Sequence, residues 1–390
     1  MKKSILALFL LFSLLLSGCG EVLASSYQTS SPHVDRPTTA EDSSAIRVEN
    51  YRELVSAVLY LVSQGEEKGE LRFYDYPGDV EPALTEACLE VATQDPLGAY
   101  CVDYIRHETA RVVSYDQATV SIHYRRTPEQ VRSMVKVTGT RAIRTELQEA
   151  LSGFEEEVVL RVSYFAEDED SIRALIRQAY FDTPAAALGF PQVEVTLYPD
   201  SGSQRVVEIL LSYPEPTEEL RKKSETLAQA LGALSLPTPG RPAEAQRDAA
   251  LQIARLLKDT STYAPEGGAT PYAALVEGRA DSEGMALAYA LLCKESGLSC
   301  EIVEGTLLLS TEETSLQENA PPSPGELPRL WVSLRLFGGE TLYLDPSARE
   351  PGLLSAQELL ARGYRWPGGP QEPEPQAQFQ EEARIQEEAE

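Results

Sequence analysis

Residues 47–235 repeat one pattern of helix-type and strand-type periodicity, with an offset of about 89 residues between the two copies. The helix-type stripe is clearest from Ile172 to Tyr180, where apolar side chains recur at spacings of three and four. The strand-type alternation is clearest from Val193 to Tyr198. The pattern predicts two small α+β units, at residues 47–138 and 139–235, and the alternative is two unrelated segments of similar pattern.

Composition limits the classes of partner. The chain has 390 residues and a formal net charge of −27 at pH 7, and 42% of its residues are hydrophobic. This hydrophobic share is enough to bury a core in two or three domains. An acidic surface repels the phosphates of nucleic acids, and no basic cluster offsets that repulsion. We therefore expect no nucleic-acid partner and interpret the acidity mainly as a source of solubility.

The N-terminus has the pattern of an exported lipoprotein. Two lysines follow Met1, and the apolar run from Ser4 to Ser17 is too short to span a membrane. The sequence Leu-Ser-Gly-Cys at residues 16–19 resembles a bacterial lipobox, which implies a signal peptide at residues 1–18 and acyl chains, such as palmitate, on Cys19. Two or more acyl chains anchor a protein stably. We expect a lipid-anchored protein on the extracytoplasmic face of the cell membrane, and the alternative is an ordinary secretory peptide.

Three segments lack apolar periodicity and separate or flank the folded parts. Residues 19–46 are rich in Ser, Thr and Pro and predict a flexible stalk behind the lipid anchor. The proline-rich run Leu236–Pro242 predicts a boundary before a last domain at residues 241–366. Residues 367–390 are rich in Pro, Gln and Glu and predict a disordered acidic tail.

Besides Cys19, the chain has four cysteines: Cys88, Cys101, Cys293 and Cys300. Export permits disulfides, and the simplest pairing joins neighbours, Cys88 with Cys101 and Cys293 with Cys300. The alternative for Cys88 is a plain core thiol, because it shares a helical face with Leu84 and Val91. No spacing of cysteine and histidine suggests a metal site, and we expect no metal and no cofactor.

Three short motifs occur in a fixed order in the last domain. Gly278–Ala286 reads as a turn that opens a helix, Arg329–Trp331 enters a strand, and Leu344–Pro346 ends the hairpin that Gly338 and Gly339 turn. An amphipathic helix from Ala243 to Lys258 precedes them. This order and spacing resembles the core of the transglutaminase-like superfamily, which has a papain-like fold. In that family a Cys opens the helix, a His precedes a small residue and a Trp, and an Asp precedes Pro. The resemblance implies an α+β fold for residues 241–366.

The chain departs from the family at two of the three catalytic positions. Ser282 stands where the family has Cys, Arg329 stands where it has His, and only Asp345 matches. A helix N-terminus can help to ionise a thiol but not a serine hydroxyl, which needs an adjacent base. A guanidinium cannot be that base. We therefore expect no catalytic residue at these positions and a helix-capping role for Ser282. The resemblance implies an ion pair between Arg329 and Asp345 that keeps the family's base-to-carboxylate geometry, and the alternative for Arg329 is a surface strand residue.

The leading hypothesis is a membrane-anchored lipoprotein whose inactive transglutaminase-like domain, a pseudoenzyme, binds or scaffolds a cell-envelope protein or peptide. Its predicted cleft contains Ser282, Trp331 and Tyr272, with a core position as the alternative for Trp331. A second hypothesis is an active hydrolase or acyl transferase that uses Ser282, with Lys258 or Lys294 as an unforeseen base. A third hypothesis assigns the function, for example envelope assembly, to the two repeats.

Overall fold

The computed structural model describes Pro37, residues 45–308 and residues 326–370. The predicted signal peptide (1–18), the acylation site Cys19, most of the stalk (19–46) and most of the acidic tail (367–390) lie outside the described residues. The last two stalk positions are already folded, since Ala45 is fully buried and Ile46 begins a strand. The predicted α+β class is confirmed, because helices and strands alternate along the described chain.

The described residues form two compact units. One contains residues 45–135 and 197–206, and the other contains residues 136–196 together with the described part of residues 207–370.

The first sheet and its helices fill residues 46–133. Strand order is β1-β2-β4-β3, with β1 parallel to β2 and the other neighbours antiparallel. The elements are β1 (Ile46–Val48), α1 (Tyr51–Gln64), β2 (Lys68–Phe73), α2 (Val80–Thr93), α3 (Pro96–Cys101), β3 (Val102–Val112), β4 (Tyr115–Tyr124) and α4 (Pro128–Ser133).

The second sheet has the same strand order as the first. Its strand order is β5-β6-β8-β7. Equivalent strands begin at Ile46 and Val135, at Lys68 and Glu157, and at Tyr115 and Gln204, each pair 89 residues apart. The elements are β5 (Val135–Thr138), α5 (Gly139–Gly153), β6 (Glu157–Ser163), α6 (Glu169–Asp182), β7 (Gln192–Tyr198), β8 (Gln204–Ser212) and α7 (Thr217–Gly232). The first strand of this sheet, β5, begins at Val135. The second copy therefore begins inside the range predicted for the first copy, 47–138.

One predicted strand of the first copy is partly wrong. The sequence from Ala99 to Ile105 predicts a strand, but α3 runs to Cys101 and β3 begins only at Val102. The cause is local capping. Asp95 accepts hydrogen bonds from the backbone N–H groups of Leu97 and Gly98, and Pro96 occupies the first helical turn, where its missing N–H costs nothing.

The last segment adds a third four-stranded sheet, in the antiparallel order β13-β12-β11-β14. Gly338 and Gly339 turn its hairpin with positive φ angles of 97° and 88°, as predicted from the sequence. The elements are α8 (Ala243–Thr260), β9 (Thr262–Gly268), β10 (Arg279–Ala280), α9 (Ser282–Ser296), β11 (Cys300–Leu308), β12 (Glu326–Arg335), β13 (Thr341–Leu344), α10 (Ala356–Ala361) and β14 (Tyr364–Arg365).

Helix α9 is the central element of this segment. Its residues from Gly284 to Cys293 are all buried, and it ends at Gly297, whose φ of 80° supplies the left-handed cap. The core around α9 also contains Leu220 and Leu227 of α7 and Phe154. The second repeat and the last segment therefore share one hydrophobic core, although the sequence predicts a boundary between them at Leu236–Pro242.

The cysteines of the described residues are free thiols. Cys88 and Cys101 are buried, and burial raises the pKa of each thiol to about 12. Cys293 and Cys300 hydrogen-bond each other, which together with burial raises the pKa of the Cys300 thiol. Neither predicted pairing forms a disulfide in this structure, and Cys88 packs as a core residue.

No helix among the described residues is both long enough and apolar enough to cross a membrane.

Candidate functional site

Helix α9 begins where the resemblance places the nucleophile, but the capping residue differs from the prediction. The Asp281 carboxylate accepts a hydrogen bond from the Gly284 backbone N–H at 2.9 Å, so Asp281 is the N-cap and Ser282 is the first helical residue. The prediction that Ser282 caps the helix is therefore wrong. Asp is as good a cap as Ser, and its charge also interacts favourably with the helix dipole. Within the described chain, no group hydrogen-bonds the Ser282 hydroxyl.

The turn before α9 has no space for a side chain at Gly284. A Cβ added there would lie 2.9 Å from both Ala280 Cβ and the Thr270 backbone nitrogen, and closer still to the Gly268 carbonyl oxygen. Two of these atoms are backbone and cannot rotate away. We expect Gly284→Ala to lower the free energy of unfolding by about 3 kcal/mol, at the upper end for overpacking.

Gly232, at the end of α7, is the matched control for Gly284, since a Cβ there would meet nothing within 4 Å. Gly232→Ala should stabilise by up to about 1 kcal/mol through helix propensity. Both variants can be measured by urea unfolding with tryptophan fluorescence, because the chain's two tryptophans, Trp331 and Trp366, lie in the unit that contains both glycines. Equal midpoints for the two variants would contradict the prediction.

The predicted ion pair between Arg329 and Asp345 is confirmed. Arg329 Nε donates to Asp345 Oδ2 at 2.9 Å, and the two side chains are only 8% and 3% exposed. The register of the hairpin explains the contact. Val332 pairs with Leu344, so Asp345 lies opposite Trp331. Arg329 is two residues before Trp331 on the same face of the sheet, which makes it the diagonal neighbour of Asp345, and its long side chain can reach the carboxylate.

Two tyrosines and a serine complete the surroundings of this pair. Asp345 accepts hydrogen bonds from the Tyr364 hydroxyl at 2.7 Å and from Ser347, through its backbone N–H at 2.8 Å and its hydroxyl at 2.5 Å. Arg329 Nη1 donates to the Tyr263 hydroxyl at 2.9 Å. Burial lowers the pKa of Arg329, but the charge and the hydrogen bond of Asp345, together with the nearby phenols of Tyr263 and Tyr364, outweigh burial and hold that pKa above its ordinary value. Burial, together with Asp345, raises the pKa of the Tyr364 phenol.

A pocket of about 610 Å³ lies beside Arg329. It is lined by Lys258, Ser261, Thr262, Tyr263, Pro265, Met285, Leu307, Leu327, Arg329, Pro346, Ser347, Ala348 and Arg349. We call these residues the Arg329 pocket.

None of the three residues predicted to form the cleft lines the Arg329 pocket. Ser282 is half-buried one helical turn before Met285, which does line it. Trp331 is fully buried and packs against the rings of Tyr364 and Trp366, with centroid distances of 5.1 and 5.7 Å. It therefore occupies a core position, which was the alternative to a place in the cleft. Tyr272 packs on the core around α9.

A second ion-pair network, missed by the sequence analysis, holds the residue after Ser282. Arg177 of α6 donates to both carboxylate oxygens of Glu283 at 3.0 Å, and to Glu304 at 2.9 Å. Burial raises the pKa of Glu283, and Arg177 counteracts part of that shift. No sequence pattern could have indicated this contact, because Arg177 and Glu283 are 106 positions apart.

In the ranges 45–308 and 326–370, no group of three or more His, Cys, Asp or Glu side chains could hold a metal ion.

Comparisons with known proteins give weak similarity to solved structures. The chain is similar to a crystal structure of a TGase, with 10% identity, coverage of 56% of this chain and 60% of that one, and a TM-score of 0.25. It is also similar to the periplasmic domain of TgpA from Pseudomonas aeruginosa. The ethylmercury-bound form gives 20% identity, coverage of 40% and 63%, and a TM-score of 0.19. The other form gives 17% identity, coverage of 40% and 61%, and a TM-score of 0.20.

The chain thus spans between 60% and 63% of the length of these solved chains. No family model matches the chain, and no curated protein matches it. Similarity of this size assigns the chain to no family.

Proposed function

We propose that this chain is a lipid-anchored protein of the extracytoplasmic face of the cell membrane, and that residues 241–366 form a transglutaminase-like domain that binds a protein or peptide without chemistry. The lipobox-like sequence ending at Cys19 supports the anchoring. The order of the motifs at Ser282, Arg329 and Asp345 supports the domain assignment. The observation that carries the loss of chemistry is the buried ion pair between Arg329 and Asp345.

Because of this pair, neither Arg329 nor Asp345 is available as the base for a nucleophile at position 282. In a thiol or serine enzyme the carboxylate orients an imidazole, which accepts the proton of the nucleophile. Here Asp345 accepts from Arg329, Ser347 and Tyr364 instead. The guanidinium at position 329 keeps its proton, since its pKa is raised further by its partner.

The two lysines considered as substitute bases have other contacts. Lys258 donates to the backbone carbonyl of Arg349, and Lys294 donates to the backbone carbonyl of Asp182 at 3.1 Å. A general base has to reach the proton that it removes, directly or through one water. Ser282 is also flanked by the carboxylates of Asp281 and Glu283, which oppose a negative charge on its oxygen.

The test of this loss is labelling of the purified chain by a serine-reactive fluorophosphonate. We expect no adduct at Ser282, and equal background rates of peptide hydrolysis and amide transfer for the wild type and Ser282→Ala. A known serine hydrolase in the same tube verifies the probe. An adduct that disappears in Ser282→Ala would contradict the proposal and favour the hydrolase or acyl transferase.

Photo-crosslinking in native cells tests where a partner binds. A crosslinking amino acid at position 349, in the Arg329 pocket, should yield an adduct with an envelope protein or peptide. The comparison position is Val113, a fully exposed residue between β3 and β4 of the first repeat. Adducts from position 113 alone would contradict a binding role for residues 241–366 and favour a function of the repeats.

A further inference from the structure

The Arg329 pocket has an unusual charge for this chain. Three cationic side chains line it, Lys258, Arg329 and Arg349, and none of the lining residues that the structure describes is acidic, in a chain of net charge −27. The Asp345 carboxylate neutralises the charge of Arg329, but the Asp345 side chain is only 3% exposed and does not line the pocket. The pocket therefore presents a net positive surface that favours an anion.

Arg329 retains donor groups for such an anion. Its Nε is used by Asp345 and its Nη1 by Tyr263, whereas its Nη2 hydrogen-bonds no residue of the described ranges. A guanidinium presents its N–H groups in one plane, in a fork that matches the geometry of a carboxylate. Because the ion pair fixes the orientation of Arg329, Nη2 is held in place before any ligand arrives.

The hydroxyl of Ser261 also lacks a partner. Ser261 is 5% exposed, its hydroxyl oxygen is buried, and no described group hydrogen-bonds that oxygen. A buried hydroxyl without a partner costs free energy, so such groups are rare in folded proteins. Ser261 lines the Arg329 pocket, so rotation of its short side chain towards the pocket would let a ligand oxygen satisfy the hydroxyl.

The rest of the pocket wall is mainly apolar. Its apolar side chains include Met285, Leu307, Leu327 and Pro346. The volume of about 610 Å³ lies in the usual range for small-molecule sites, roughly 300–1,000 Å³, and exceeds that of a lone anion. A matching ligand has an anionic head and an apolar body.

We propose that the Arg329 pocket binds an organic carboxylate joined to an apolar group. The carboxylate accepts hydrogen bonds from Arg329 Nη2 and the Ser261 hydroxyl, Lys258 and Arg349 add long-range attraction, and the apolar body contacts Met285 and the leucines. This assignment rests on the proposed function, since it names the ligand class of the same binding domain. A peptide C-terminus with an apolar last residue and a fatty acid are two sources of this chemistry.

The test is calorimetric titration of the full chain with four probes: acetyl-leucyl-leucine as the free acid, its C-terminal amide, octanoate and inorganic phosphate. We expect the free acid to bind at least about tenfold more tightly than the amide, because hydrogen bonds to a charged group are the strong ones. Octanoate binding without peptide binding would also support the carboxylate site, with a fatty acid as its source.

Ser261→Ala separates a ligand role from a structural one. Because the hydroxyl has no partner in the free protein, the variant should unfold at the same temperature as the wild type or higher, yet bind the free acid about tenfold more weakly. Ser296→Ala is the matched control, since that hydroxyl is also buried and unpaired among the described groups but does not line the pocket. Arg349→Glu should likewise weaken binding, whereas Arg335→Glu, an equal charge change outside the pocket, should not.

Three results would overturn the inference. Equal affinities for the free acid and the amide, or for the free acid and phosphate, would remove the carboxylate-plus-apolar assignment. An unchanged affinity in Ser261→Ala would remove the proposed contact. No binding by any of the four probes would overturn the site as well. None of these results decides the proposed function, which depends on the labelling and crosslinking experiments.

Discussion

Replacing Asp345 by alanine is expected to lower the free energy of unfolding by about 4 kcal/mol, because it leaves the Arg329 guanidinium buried without its counter-ion. The substitution also removes the acceptor for Tyr364 and for the Ser347 backbone N–H. Each of these groups then remains buried without its former partner, which adds to the cost.

Urea unfolding followed by tryptophan fluorescence is a local measurement of this effect, since Trp331 packs directly on Tyr364. Glu340→Ala is the control, because it breaks an exposed ion pair with Arg247 and should cost at most about 1 kcal/mol. The double variant Arg329→Met, Asp345→Leu should recover most of the loss, since replacing both members of a buried pair is often close to neutral. A similar loss in Asp345→Ala and Glu340→Ala would contradict the argument.

The Arg329–Asp345 pair was predicted from the base-to-carboxylate geometry of the family that the sequence resembles, and in the structure local elements set that geometry. Gly338 and Gly339 fix the turn, the turn fixes the register, and the register sets the diagonal that joins the two side chains. Tyr364 was not predictable as a partner of Asp345, because it comes from β14, on the far edge of the same sheet. That contact depends on tertiary packing, and no local sequence pattern indicates it.

The lining of the pocket also depends on tertiary packing and not on local sequence patterns. Trp331 was placed in the predicted cleft because of its motif, with a core position as the alternative. An aromatic ring on a central strand is buried by the side chains that cover that strand, here Tyr364 and Trp366. Ser261 was missed because a serine after a helix end is unremarkable in sequence. Its significance arises only from the unpaired, buried oxygen in a pocket wall.

In the repeats, the strongly periodic elements were predicted and the shortest were not. Helix α6 (Glu169–Asp182) extends a few residues beyond the predicted stripe from Ile172 to Tyr180, as expected for ends that depend on caps. Strands β1 and β5 were missed because they have only three and four residues, and an alternation as short as Ile-Arg-Val or Val-Lys-Val-Thr is not enough to indicate a strand. They were identified only by their hydrogen-bonded places in the two sheets.

The second large effect is expected at Arg177, and it should depend on pH. We expect Arg177→Met to lower the free energy of unfolding by about 2 kcal/mol near pH 7.5, since it leaves the largely buried Glu283 carboxylate without its cation. Methionine retains apolar contact with Phe181 and Phe190, the rings that the guanidinium now covers.

The pH dependence follows from Glu283, whose pKa in the folded chain is raised by burial. Across the window between its ordinary pKa and that raised pKa, the folded chain binds more protons than the unfolded chain, so stability falls as pH rises. Arg177 lowers the pKa of Glu283, and its removal widens this window. The stability difference between the wild type and Arg177→Met should therefore shrink as the pH is lowered towards the ordinary glutamate value of about 4.3, because protonation then removes more of the Glu283 charge in both proteins. In a Glu283→Gln background, position 283 cannot ionise, and the effect of Arg177→Met should lose this pH dependence. A constant difference between about pH 4.5 and pH 7.5 would show that the cost arises from lost packing and not from an unpaired carboxylate at the start of α9.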